Sequence, residues 1–290
     1  MSELAAGRAH APRRARWSAP EPIAWLAAPG IVYLLAAFAL PLVLLLLTSL
    51  RTEHGFGLQR YAVFLSDAFH WKVIANTLSA AAWTTLCCLL LGYPTAVALA
   101  RSRGYMQTIL LVALILPLSV GVVVKAFAWA IVLRSDGVLN QTLLAIGAID
   151  EPLRLIFTQT GLVFGATNIF LPFMVLPIYS VLKLIDPRLS AAGATLGASP
   201  LYRFIHITLP MSMSGVIAGI AFVFSLSVSM YVIPSLLIGE RYPTLSTLTA
   251  RSYLYLRDHA LGSTSASILL IIAVAVVLAS SLLGRRWYKP

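Results

Sequence analysis

The sequence predicts an all-α integral membrane protein with six transmembrane helices. Three observations lead there. Of 290 residues, 59% are hydrophobic and only 11% charged; the mean hydropathy is +0.88; and the apolar residues fall in long runs separated by short polar segments. A soluble domain carries about 25% charged residues. Runs this long satisfy their backbone as helices, because a barrel strand needs only about 10 residues to cross.

In chain order, residues 1–22 read as a basic tail holding Arg8, Arg13, Arg14 and Arg16. A six-helix domain follows over 23–284, and 285–290 form a second short tail. The first span runs from about Ile23 to Leu50 and the second from Val73 to Ala100, closed by Arg101 and Arg103. The third is Gln107 to Leu133, with Pro117 as a kink. The fourth, Gly161 to Ile185, contains Pro172 and Pro177; the fifth is Pro210 to Ile233; the sixth is Leu261 to Gly284. At ~1.5 Å per residue, about 20 residues cross the hydrocarbon, so each run suffices.

Six spans put both termini on one side. The tails and loops of that side hold twelve of the 21 lysines and arginines, the opposite loops hold eight, and Lys125 lies within a span. The richer side is cytoplasmic by the positive-inside rule, so both termini and the loop 186–206 are expected there. A net charge of +11 admits nucleic acid as a partner. Its dispersal between apolar runs argues against that and for a lipid bilayer. Cys87 and Cys88 are adjacent in an apolar run, and the five histidines are scattered. Neither set has metal-ligand spacing.

The polar loop between the fourth and fifth runs is dense with helix punctuation. Asp186-Pro187 is a helix start, Gly197 a stop, and Ser199-Pro200 a second start. Two short helices joined at a glycine are expected. The small residues Ala191, Ala192, Gly193 and Ala194 leave their backbone open to close approach by another protein.

This loop resembles the EAA loop of binding-protein-dependent ABC importer permeases, whose pattern reads EAA, three residues, Gly, nine residues, Ile, one residue, Leu-Pro. Here Ala191-Ala192-Gly193 stands for EAA, Gly197 for the glycine, and Ile207, Leu209 and Pro210 for the end. The family's first Glu is Ala191 and its third Ala is Gly193. Asn76-Thr77-Leu78 and Gly92-Tyr93-Pro94 resemble the start of the permease core. Lys125-Ala126-Phe127-Ala128-Trp129, Leu171 to Pro177 and Val232 to Gly239 resemble the spermidine/putrescine branch.

The resemblance implies a type I ABC importer permease architecture with cytoplasmic coupling helices in a bacterial inner membrane. ATPase coupling would fall to Ala191, Ala192, Gly193, Gly197, Ala198, Ser199, Pro200, Ile207, Leu209 and Pro210. The partners it implies are a second permease chain, homologous but different, two ATPase subunits and a periplasmic solute-binding protein. ATP and Mg would bind those ATPases, and this chain would bind no cofactor. The solute implied is a polyamine, with an opine, a phosphonate or another small solute as alternatives.

Five residues are candidates for the solute pathway. Lys125 is the one ionisable residue well inside a run, where a charge is costly. Snorkelling or an inter-subunit pair is the preferred role, with solute contact as the alternative. Asn168 places an amide in the fourth run. Ser225 and Ser229, spaced by four, share a face of the fifth run, and Ser227 and Tyr231 share another. Pore lining and close helix packing are both open for them. The sequence contains no GxxxxGK[ST], HExxH or GxSxG, so neither an ATPase nor a hydrolase is expected. A secondary transporter working alone would need charged residues at mid-membrane, and this chain has nearly none.

Overall fold

A computed structural model describes residues 22–52 and 55–287. Residues 1–21 of the basic tail and the last three residues lie outside the described residues. Thirteen α-helices are found among the described residues. The first, α1 (Pro22–Leu50), belongs up to Leu44 to a unit of its own. Its side chains from Ile31 to Phe38 are exposed and apolar around the helix, as a lipid-facing surface requires.

The second unit begins with the end of α1. A two-residue antiparallel pair follows, in which β1 (Arg51–Thr52) sets Arg51 opposite Phe56 of β2 (Gly55–Phe56). Then come α2 (Gln59–Ser66), α3 (Ala68–Arg101), α4 (Gly104–Ser119), α5 (Val122–Val132) and α6 (Val138–Ala145). Next are α7 (Gln159–Leu184), α8 (Pro187–Thr195), α9 (Pro200–Arg203) and α10 (Leu209–Ser229). The chain finishes with α11 (Val232–Leu237), α12 (Leu245–Arg251) and α13 (His259–Trp287).

The core of this unit is the mutual packing of α3, α7 and α10, with α13 against α10 and α12. Its centre is Met174. A Cβ added at Gly92 of α3 would lie 2.9 Å from Met174 Cγ, and one at Gly219 of α10 would lie 2.7 Å from Met174 Sδ. Two glycines thus let the three helices close around one flexible side chain, the small-residue packing expected in a membrane. The outer part of α3 also fastens the segment before α12. Asn76 Nδ2 donates to Pro243 O at 3.1 Å, Tyr242 Oη donates to Asn76 O at 3.2 Å, and Leu245 N–H donates to Thr77 Oγ1 at 2.8 Å. Burial holds the Tyr242 phenol above its ordinary pKa.

Among the described residues, five helical stretches are long and apolar enough to cross a membrane: Ala28–Leu50, Ala68–Arg101, Gln159–Leu184, Pro200–Ser229 and His259–Leu282. The third expected run is not a single kinked helix. It breaks into α4 and α5 at an angle of 100°. Val120 and Gly121 are extended, with ψ of 126° and 143°, and so interrupt the helix just after Pro117. The fifth run also differs. It begins at Pro200 and ends at Ser229, where Met230 turns extended and Val232–Leu237 forms a separate short helix.

A candidate coupling knuckle and the spans it joins

Each punctuation residue between the fourth and fifth spans has a backbone partner. Asp186 Oδ1 accepts the Arg188 N–H at 2.8 Å, with Pro187 in the first turn of α8. The helix closes in a Schellman turn: Gly197 N–H donates to Ala194 O and Ala198 N–H to Gly193 O, both at 3.0 Å. Gly197 takes φ +81°, a left-handed conformation that suits glycine. Ser199 Oγ then accepts the Tyr202 N–H at 3.2 Å and starts α9.

The second expected short helix is not separate. From α9 the chain passes through one π-helical turn, Phe204–Thr208, directly into α10. Leu209 N–H reaches back five residues to Phe204 O. Pro210 has no N–H to give residue 206, and a widened turn eases its ring past that carbonyl. Ile207 therefore sits inside the π turn, while Leu209 and Pro210 open α10. The knuckle is a helix, a four-residue turn, and the end of a membrane span.

Its surface is open. No residue of α8 is buried. Ala191, Ala192, Gly197, Ser199 and Pro200 are exposed; Gly193, Ala198, Ile207 and Leu209 are half-buried. Leu196 is 88% and Leu201 67% exposed, beside Tyr202. These three large apolar residues escaped the sequence reading, which weighed the small residues around them. Each is largely uncovered, with the Tyr202 ring stacked on His206 at 4.0 Å, and such exposed apolar side chains are what a docking partner could cover. Inward, Phe204 meets Tyr93 of α3 edge-on at 5.8 Å, and Tyr93 Oη shares a 2.9 Å hydrogen bond with Ser212 Oγ of α10.

The five pathway candidates do not converge. Lys125 stands half-buried in the first turn of α5, just past the 100° bend, so it does not ride a straight span. None of the described hydrogen bonds or ion pairs includes its ammonium. Asn168 lines a cavity of about 490 Å³ between α3, α5 and α7, where its Oδ1 accepts from Trp129 Nε1 at 3.2 Å. Ser229 Oγ bonds back to Ser225 O at 2.9 Å. Ser227 is buried with its hydroxyl unpaired. Tyr231 is not on the helix that carries the serines. It lies in the break after Ser229 and lines a different cavity, of about 210 Å³, with Phe69 and Ser235.

The larger cavity brings together residues that the sequence reading missed: Trp83, Trp129, Gln159 and Phe164. A signal was present. Trp83, Cys87 and Leu91 recur every four residues on α3, as do Thr160, Phe164 and Asn168 on α7. Each set therefore lies along one helix face.

A multi-pass helical membrane protein with a capped knuckle leading into one of its spans is a narrow structural class. The model of the binding-protein-dependent transport system inner membrane component family matches residues 89–289. The spermidine/putrescine transport system permease protein PotB of Escherichia coli (strain K12) is 34% identical over 235 residues, covering 80% of this chain and 85% of that protein. The chain belongs to this family and is an inner-membrane permease of the ABC importer type. Two solved structures share the fold. One is a bacterial ABC transporter that imports the acidic polysaccharide alginate, with TM-score 0.77, 17% identity and coverage of 92% and 96%. The other is the alginate transporter in complex with a pentasaccharide-bound periplasmic protein, with TM-score 0.74, 18% identity and coverage of 92% and 95%.

Proposed function

We propose that this chain is a permease subunit of a bacterial polyamine importer, taking spermidine or putrescine from a periplasmic binding protein. The observation that carries the substrate class is the identity to PotB along most of both chains. The assembly comprises this chain, a second homologous permease and two ATPase subunits that hold Mg and ATP. Both termini and the 186–206 loop face the cytoplasm.

In this reading, ATP binding draws the ATPases together. The exposed apolar side chains of the knuckle receive that movement, and the turn Leu196–Ser199 passes it to α9, which is already the end of the fifth span. The bent third run and the proline-containing α7 supply the adjustable elements for alternating access. Of the pathway candidates, Asn168 has the best supported place, in a cavity whose aromatic walls and amide suit the methylenes and ammonium groups of a polyamine. Ser225 and Ser229 keep a packing role through their back-bond. Lys125 belongs to an inter-subunit or interfacial contact, since a lysine in the path would repel this cargo.

Purification of the tagged chain from its native membrane, followed by reconstitution with the binding protein, tests the proposal. The expected result is co-purification of a Walker-type ATPase and a second permease, with ATP-dependent uptake of labelled spermidine. Uptake of an opine or phosphonate in its place would change the cargo and keep the machine. Purification as a lone chain would overturn both.

A further inference from the structure

Arg203 is the last residue of α9, and its side chain turns back across the knuckle. Its Nη1 donates to Ser190 O at 3.1 Å and approaches Ser190 Oγ at 3.4 Å. Its stem lies over Gly193: a Cβ added there would be 3.3 Å from Arg203 Cγ and Cδ and 3.3 Å from Ile207 Cδ1. The Nε atom is buried without a partner. Besides this bridge, α8 is held to the span by the Ile207 side chain over Gly193 and by the turn Leu196–Ser199, in which Gly197 is left-handed. The arginine bridges that joint from the span to α8, thirteen residues earlier in the chain.

We infer that Arg203 is a positioning residue that locks α8 to the fifth span, so that knuckle and span move as one rigid piece. Gly193, where the EAA pattern has alanine, is the space that admits the arginine stem. The charge-assisted bond to a backbone oxygen holds whatever side chain stands at 190, which makes the lock tolerant there and intolerant at 193 and 203. The inference rests on the coupling role proposed for the knuckle.

The test uses the complete importer in proteoliposomes, measuring spermidine uptake and ATP hydrolysis in the same preparation. Arg203→Met keeps the stem and removes the donors. It should lower the solute moved per ATP by about tenfold, the scale of one lost charge-assisted bond, while the ATPases still co-purify. Arg203→Lys should recover most of the loss, and Ser190→Ala should stay near wild type. Gly193→Val, which displaces the stem and keeps the charge, should reproduce the loss and serves if Arg203→Met does not assemble. Amide exchange over 188–195 should quicken in Arg203→Met with α10 unchanged.

Unchanged solute per ATP in both Arg203→Met and Gly193→Val overturns the inference. If Gly197→Leu uncouples the same preparation, the coupling role of the knuckle survives without the lock; if it does not, that role fails as well. Loss of ATPase binding in Arg203→Met, with coupling intact in Gly193→Val, would place Arg203 on the docking face and also overturn it.

Discussion

The indole of Trp129 donates to the side-chain oxygen of Asn168 at 3.2 Å, tying the bent third run to the fourth span beside a cavity that both line. Trp129→Phe and Asn168→Ala each break this bond. Each should lower stability by about 1 kcal/mol, and the double variant should cost little more than either alone. Thermal unfolding of the detergent-solubilised chain measures both points. Full additivity would show that the two side chains act independently.

Gly197 tests the knuckle. Its φ of +81° is strained for any residue with a side chain, by about 1–2 kcal/mol. Gly197→Leu should let ATP hydrolysis continue in the assembled importer while spermidine uptake falls. Normal uptake in that variant would count heavily against a coupling role for the turn.

The start of α8 offers a milder lesion. Asp186→Ala removes the cap on the Arg188 N–H and should cost about 1 kcal/mol. The readout is faster amide exchange in the first turn of α8. Exchange at the wild-type rate would mean that Pro187 alone sets the helix start.

Packing around Met174 can be tested by overfilling it. Gly219→Leu would drive carbon into the Met174 sulfur, and overpacking of this kind costs about 1–3 kcal/mol. Gly219→Leu with Met174→Ala should recover part of that loss. Thermal stability measured on the pair and on each single variant decides whether the three helices close around this residue.

Thr77 fastens the segment before α12. Thr77→Val keeps the side-chain shape and leaves the Leu245 N–H without its acceptor, a cost of about 1–3 kcal/mol. The Leu245 amide should exchange much faster in the variant, with the amides of α7 unaffected.

Most of the helical framework was legible because its signals are local. Long apolar runs declare the spans, and Asp186, Gly197 and Ser199 each act on atoms within five residues. Three features had no such signal. The 100° break after Pro117 comes from two extended residues, Val120 and Gly121, that are apolar like their neighbours and leave the hydropathy unbroken. Tyr231 keeps helical spacing with Ser227 in the sequence, yet the helix ends at Ser229. At Pro210 the reading placed a helix start, whereas the π turn carries the helix through. The candidate site was legible in the same measure. The caps of the knuckle could be read directly, but its exposed apolar side chains and the Arg203 bridge depend on which side of each helix meets the other.

The helix through Pro200–Ser229 is 30 residues long, about 45 Å at ~1.5 Å per residue, against about 30 Å of hydrocarbon. One end of this rod must therefore emerge from the oily layer, and the widened turn at Phe204–Thr208 lies close to its Pro200 end. A push applied at the protruding tip arrives at the far end as a tilt of the whole shaft. If the knuckle couples as proposed, such a lever needs no relay of side-chain rearrangements through the bilayer, only a fulcrum, and the glycine-lined contact with Met174 would supply one.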